Sequence, residues 1–89
     1  MSYSIAGRTA LVTGASNGIG LAIARHFVER GARVMFADSD EQRLEAEVGP
    51  DSRSESGAIR YFSGDLRQKL TLTNLISASM DAFERIDIG

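Results

Sequence analysis

The order of apolar and polar positions along the chain changes period several times, and each change marks a candidate element. Residues 9–13, TALVT, form an apolar, β-branched run ending at Gly14 and predict a buried strand. From Gly18 the period lengthens. Ile19, Ile23 and Phe27, with Ala24 and Val28, fall on one face of a predicted helix. Arg25, His26, Glu29 and Arg30 fall elsewhere on that helix, and Gly31 supplies a C-terminal stop. RVMFAD, 33–38, predicts a second strand. DEQRLEAEVG, 40–49, predicts a helix with early acidic residues, stopped by Gly49–Pro50. PDSRSESG, 50–57, is polar and aperiodic, so an exposed loop is expected there. AIRYF, 58–62, predicts a third strand that leads through Ser63–Gly64 to Asp65. Leu72, Leu75, Ile76, Ser79 and Phe83 then keep helical spacing through 71–85, and IDI, 86–88, reads as a fourth strand.

Strands alternating with helices in this way predict βαβ units with parallel pairing and right-handed crossovers. The expected fold is α/β: β-α-β-α-β-α-β, the N-terminal half of a doubly wound parallel Rossmann sheet. The expected organisation is one partial dinucleotide-binding domain over residues 1–89, ending at or within the fourth strand. Bulk properties narrow the classes. A length of 89 residues allows at most one small domain, and 43% hydrophobic with 25% charged residues is ordinary for a soluble globular chain. Ten basic and twelve acidic residues are scattered without a basic stripe, which disfavours a nucleic-acid partner. The absence of cysteine removes disulfides and thiolate metal sites. The first residues lack a charged n-region and an apolar h-region, and no apolar run approaches the roughly 20 residues needed to cross a bilayer. A cytoplasmic location with no membrane partner is the default expectation.

The segment TGASNGIG, 13–20, concentrates the candidate chemistry. Helix N-termini offer free N–H groups and the positive end of a dipole, which suits the two phosphates of a dinucleotide. Side chains must stay out of the way. Gly14 would allow a sharp exit from the strand, Gly18 a close approach of the pyrophosphate, and Gly20 tight packing of helix on strand. A P-loop is not matched, because no Gly-Lys-Ser/Thr follows. The alternative is a tight strand-to-helix turn that binds nothing.

Asp38 ends the second strand, 18 residues after Gly20, where a dinucleotide fold places an acid on the adenosine ribose hydroxyls. It would repel a 2′-phosphate. Ser16, Asn17 and Ser39, where a basic group would offset that repulsion, are neutral. With no basic residue near Asp38, the expected cofactor is NAD rather than NADP. Asp38 could instead cap the following helix, or do both. Asp38 and Asp40 as a metal pair are explained more simply by a strand end and a helix cap, so no metal is expected. His26 is expected to be a solvated surface residue.

Together these residues resemble the N-terminal part of a short-chain dehydrogenase/reductase. Thr13, Gly14, Gly18, Ile19 and Gly20 match the family's Thr-Gly-x-x-x-Gly-Ile-Gly, and Asp38 matches the acid of NAD-dependent members. Asp65–Leu66 matches the family's Asp-aliphatic pair near the adenine ring. Phe83 to Asp87 corresponds to its Phe-Gly-x-Ile-Asp, with Glu84 in place of the glycine. The resemblance implies a cofactor site of Gly14, Ser16, Asn17, Gly18, Ile19, Gly20, Asp38, Asp65 and Leu66. It also implies a catalytic Ser, Tyr and Lys beyond Gly89, and a last helix that often joins a subunit interface. In this family the Lys stands four positions after the Tyr. Tyr3 and Tyr61 are instead followed at that distance by Gly7 and Asp65, so no catalytic residue is expected in this chain.

Two readings follow. In the first, the chain is the NAD(H)-binding half of an oxidoreductase that moves a hydride between nicotinamide and an alcohol or carbonyl. Its partners are then a C-terminal catalytic half or second fragment, and a homo-oligomer when complete. In the second it is a non-catalytic nucleotide-binding or interaction module. An unpaired fourth strand at the chain's end argues for the first.

Overall fold

Alternation along the strands and helical spacing between them resolve into three layers. The computed structural model describes residues 7–54, 57–83 and 87. The elements are β1 (Thr9–Thr13), α1 (Gly18–Glu29), β2 (Arg33–Asp38), α2 (Glu41–Ser52), β3 (Ile59–Ser63) and α3 (Lys69–Phe83). The three strands form a parallel sheet in the order β1-β2-β3, with Thr9 opposite Arg33 and Val34 opposite Ile59. Successive side chains take opposite faces. Ala10, Val12, Val34, Phe36, Ile59 and Tyr61 pack with Ala24, Leu44 and Val48 of α1 and α2. Leu11, Met35, Ala37 and Phe62 pack with Leu75 and Phe83 of α3. Helices therefore cover both faces, and β2 is buried on both.

The expected bounds of β1 and β2 hold, and Gly31 ends α1's connection with φ 90°. β3 and α3 each shift by one or two residues. Two expectations need correction. The second helix does not stop at Gly49–Pro50 but runs to Ser52, so Pro50–Ser52 are not loop. Val48 and Gly49 are buried, and this anchors the segment on the sheet. The last turn closes after the proline through Ser52 Oγ–H to the Gly49 carbonyl (2.6 Å) and Arg53 N–H to the Pro50 carbonyl (3.2 Å). Glycine at 49 permits close approach, since a Cβ there would collide with the Glu45 carboxylate.

The second correction concerns α1. Ile19 is 80% and Ile23 44% exposed, whereas Ala24 is fully buried and Phe27 and Val28 are half-buried. Gly20 lies so close to β1's end that a Cβ would strike the Gly14 carbonyl oxygen. That contact turns the Gly20–Ala24–Phe27 face toward the sheet and leaves Ile19 about 105° and Ile23 about 65° from its centre on the helical wheel.

The stripe on α3 splits as well. Leu75, Ser79 and Phe83 are buried, while Leu72, Ile76 and Met80 are exposed. The predicted fourth strand and Glu84 lie outside the described residues, Asp87 excepted. The Asp87 N–H donates to the Thr9 carbonyl (2.8 Å), and its Oδ2 accepts from the Thr9 N–H (2.9 Å). Arg33 N–H bonds the Arg8 carbonyl on the β2 side, so Asp87 sits on β1's opposite edge. Among the described residues no helix is long and apolar enough to cross a membrane.

Candidate functional site

The C-terminal ends of the three strands open onto one cleft of about 730 Å³, where ligands bind in open parallel sheets. Gly14, Asp38, Asp65, Leu66, Arg67 and Leu72 are among its lining residues. Near β1 it is lined by Thr13 and Gly14, where the glycine turn begins. Gly14 and Gly18 have φ of 66° and 58°, a conformation that side-chain-bearing residues rarely adopt. The turn is tied to β2 by Ala15 N–H to the Ala37 carbonyl (3.1 Å).

Helix α1 begins after Asn17, whose side chain makes no cap hydrogen bond, and its first intrahelical bond is Leu21 N–H to the Asn17 carbonyl. The N–H groups of Gly18, Ile19 and Gly20 have no protein acceptor among the described residues. No acidic side chain stands in that first turn to compete for them. A Cβ at Gly18 would meet nothing within 4 Å, so it is the positive φ rather than crowding that asks for glycine there.

Asp38 ends β2 with its carboxylate gripped on both oxygens. Oδ2 accepts from the Ser16 hydroxyl (2.7 Å) and the Ser16 N–H (3.1 Å), and Oδ1 accepts from the Ser39 N–H (2.7 Å). Partial burial pushes its pKa up. The Ser16 hydroxyl and the backbone N–H groups of Ser16, Ser39 and Asp40 outweigh that burial and hold the carboxyl below the usual range. Ser16, only 2% exposed, is thus joined to Asp38 rather than facing solvent. The cap of α2 is Asp40, which accepts from the Arg43 N–H at 3.0 Å, so Asp38 is free of that duty. No carboxylate or histidine cluster able to hold a metal occurs among the described residues.

At the cleft's other end, Asp65 accepts from the Arg67 N–H (3.1 Å), Nε (3.0 Å) and Nη2 (3.2 Å), which holds its pKa low. Leu66 is half-buried and Leu72 exposed beside it. Tyr61 is not in the cleft: its hydroxyl donates to Glu45 on α2 at 2.5 Å, and that bond raises its pKa. Lys69 and His26 are exposed, as expected for His26.

One residue escaped the sequence reading. Arg43 Nε–H donates to the Ser16 carbonyl at 3.2 Å, which puts a cation beside the residue that holds Asp38. The expectation of no basic residue near Asp38 is therefore corrected. The signal was available: helical side chains lean toward the N-terminus, so a base three residues after the Asp40 cap leans back to the strand ends.

Comparison with known proteins fits this geometry. The family model for the short chain dehydrogenase matches residues 8–88. The chain belongs to that family. It is 39% identical over 84 residues to L-fucose dehydrogenase of Mus musculus, covering 91% of this chain and 28% of that enzyme. Its fold superposes on the 3-ketoacyl-(acyl-carrier-protein) reductase of Brucella melitensis complexed with NADH, with TM-score 0.84 and 27% identity. That match covers 94% of this chain and 33% of the reductase. The C-domain of a bacterial malonyl-CoA reductase with NADP gives TM-score 0.80 and 27% identity, covering 94% of this chain and 14% of that one. The chain thus spans about a third of the length of the short-chain dehydrogenases it matches over most of its own.

Proposed function

We propose that this chain is the NAD(H)-binding half of a short-chain oxidoreductase, supplying the adenine, ribose and pyrophosphate site. The observation that carries the reading is a helix N-terminus whose Gly18, Ile19 and Gly20 N–H groups have no protein acceptor among the described residues, following a turn that starts at Gly14 in the same cleft as Asp38. The residues fit the group. The Gly14–Gly20 turn, with Ser16 and Asn17 in it, and the α1 N-terminal donors would hold the pyrophosphate. Asp38, which lines the cleft, would accept from the ribose hydroxyls. Asp65 and Leu66, both lining the cleft, would hold the adenine.

When bound, the nicotinamide supplies a hydride donor or acceptor for an alcohol or carbonyl substrate. This chain's own residues bind and orient the cofactor's other half. The family-type Tyr and Lys that would move the substrate's proton are not in the sequence, so the proposed activity belongs to a complete protein with a catalytic half. Asp38 favours NAD(H), because its charge accepts from a 2′-hydroxyl and repels a 2′-phosphate.

Calorimetric titration with NAD⁺ tests the reading. Wild type binds, and Asp38→Ala weakens NAD⁺ by roughly thirtyfold, the loss of about 2 kcal/mol from charge-assisted hydrogen bonds. An unchanged affinity in Asp38→Ala contradicts the ribose assignment.

A further inference from the structure

Strand β3 ends the sheet, with no further strand beside it among the described residues. Its ladder with β2 starts at Val34 N–H to the Ala58 carbonyl and closes at Gly64 N–H to the Asp38 carbonyl. Parallel pairing uses alternate residues, so the N–H and C=O groups of Arg60 and Phe62 face β2. Those of Ile59, Tyr61 and Ser63 point outward. Such a row of unpaired backbone groups is a template for another strand.

One side chain crosses that row. Ile59 and Tyr61 pack on the side of α1 and α2 and Phe62 on the side of α3, so Arg60 leaves the strand on the α3 side. Its guanidinium nonetheless ends on the α2 side. Nη1–H donates to the carbonyl of Ser52, the last residue of α2, and to the outward carbonyl of Ile59, both at 2.7 Å. The side chain therefore passes round the outside of β3. It serves an orphan carbonyl at a helix end and an edge carbonyl of the sheet with one group.

We infer that the outer edge of β3 is a strand-pairing surface for a second copy of this chain, and that Arg60 is the strap that holds it shut. The edge is complementary to itself. In an antiparallel pair centred on Tyr61, Ile59 stands opposite Ser63 and Tyr61 opposite Tyr61. All three are then hydrogen-bonded positions, so every outward N–H meets an outward C=O. With Arg60 in place the Ile59 carbonyl is taken and a guanidinium lies across the approach. Withdrawing the strap frees that carbonyl and opens the whole row. None of these three edge residues lines the cofactor cleft, so the inference is independent of the dinucleotide reading.

Amide hydrogen exchange at a low and a high protein concentration tests it. In the wild type the amides of Tyr61 and Ser63 exchange fast at both. In Arg60→Ala the same amides gain about tenfold protection at the high concentration only, while the amides facing β2 keep theirs throughout. Adding Ser63→Pro removes an outward N–H without touching the ladder to β2, and the gain at Tyr61 disappears. Arg60→Gln, which keeps part of the stem but cannot span both carbonyls, shows the same gain and carries the test should the alanine variant not fold. A folded Arg60 variant whose Tyr61 and Ser63 amides stay unprotected at both concentrations overturns the inference, even if copies associate elsewhere. Wild-type amides already protected at the high concentration overturn the strap, because the edge would then be open with Arg60 present.

Discussion

At the β1–β2 end of the cleft the ligand-facing groups are backbone N–H groups and one carboxylate held by several donors from buried Ser16 and its neighbours. At the β3–α3 end they are side chains: half-buried Leu66, exposed Leu72 and an Asp65–Arg67 pair whose arginine is 90% exposed. The first end has its shape imposed by glycines that admit no Cβ or need positive φ. The second depends on exposed side chains with many rotamers. Rigidity, and with it the cost of substitution, should therefore fall steeply from one end to the other.

The largest effect breaks the rigid end outright. Gly20→Ala drives a Cβ into the Gly14 carbonyl oxygen, a backbone atom that can yield only by moving the turn. A thermal melt should show a loss of about 3 kcal/mol, and dinucleotide binding should disappear with the turn's geometry.

A smaller change loosens the carboxylate without reshaping the turn. Ser16→Ala removes the 2.7 Å hydroxyl bond to Asp38 and should cost about 1 kcal/mol. It also alters the acid limb. The folded-state pKa of Asp38 lies below its unfolded value, so the stability it contributes is present above about pH 4 and is lost as pH falls through the folded value. In Ser16→Ala that loss begins at higher pH, because the hydroxyl that favoured the ionised form is gone. Melting curves between neutral pH and about pH 3 check the direction.

The smallest effect is expected at the other end. Arg67→Ala breaks an exposed, solvent-screened ion pair and should leave the thermal melt almost unmoved. A larger loss would show that the adenine end is as organised as the ribose end, and would remove the contrast.

The same contrast explains what was legible in the sequence. β1 and β2 could be bounded to the residue because each ends where the chemistry changes abruptly, at Gly14 and at Asp38. The glycine turn was legible because its glycines answer local backbone demands. What escaped depended on packing between elements. Ile19 and Ile23 share the helical period with Ala24 and Phe27, and only the Gly20–Gly14 contact decides which face meets the sheet. Pro50 reads as a helix stop until burial of Val48 and Gly49 holds the turn beyond it in place. Arg43's place in the first turn of α2 was readable, but its partner Ser16, 27 residues away in sequence, was not.

The most direct test of the central claim is the ¹⁵N–¹H spectrum of the chain titrated with NAD⁺, ADP and nicotinamide mononucleotide. The account predicts that the amides of Gly14 to Gly20, Ser39 and Asp65 shift with NAD⁺ and nearly as much with ADP, and stay in place with the mononucleotide. Shifts produced by the mononucleotide, or amides of the glycine turn that remain still while NAD⁺ binds, would contradict it.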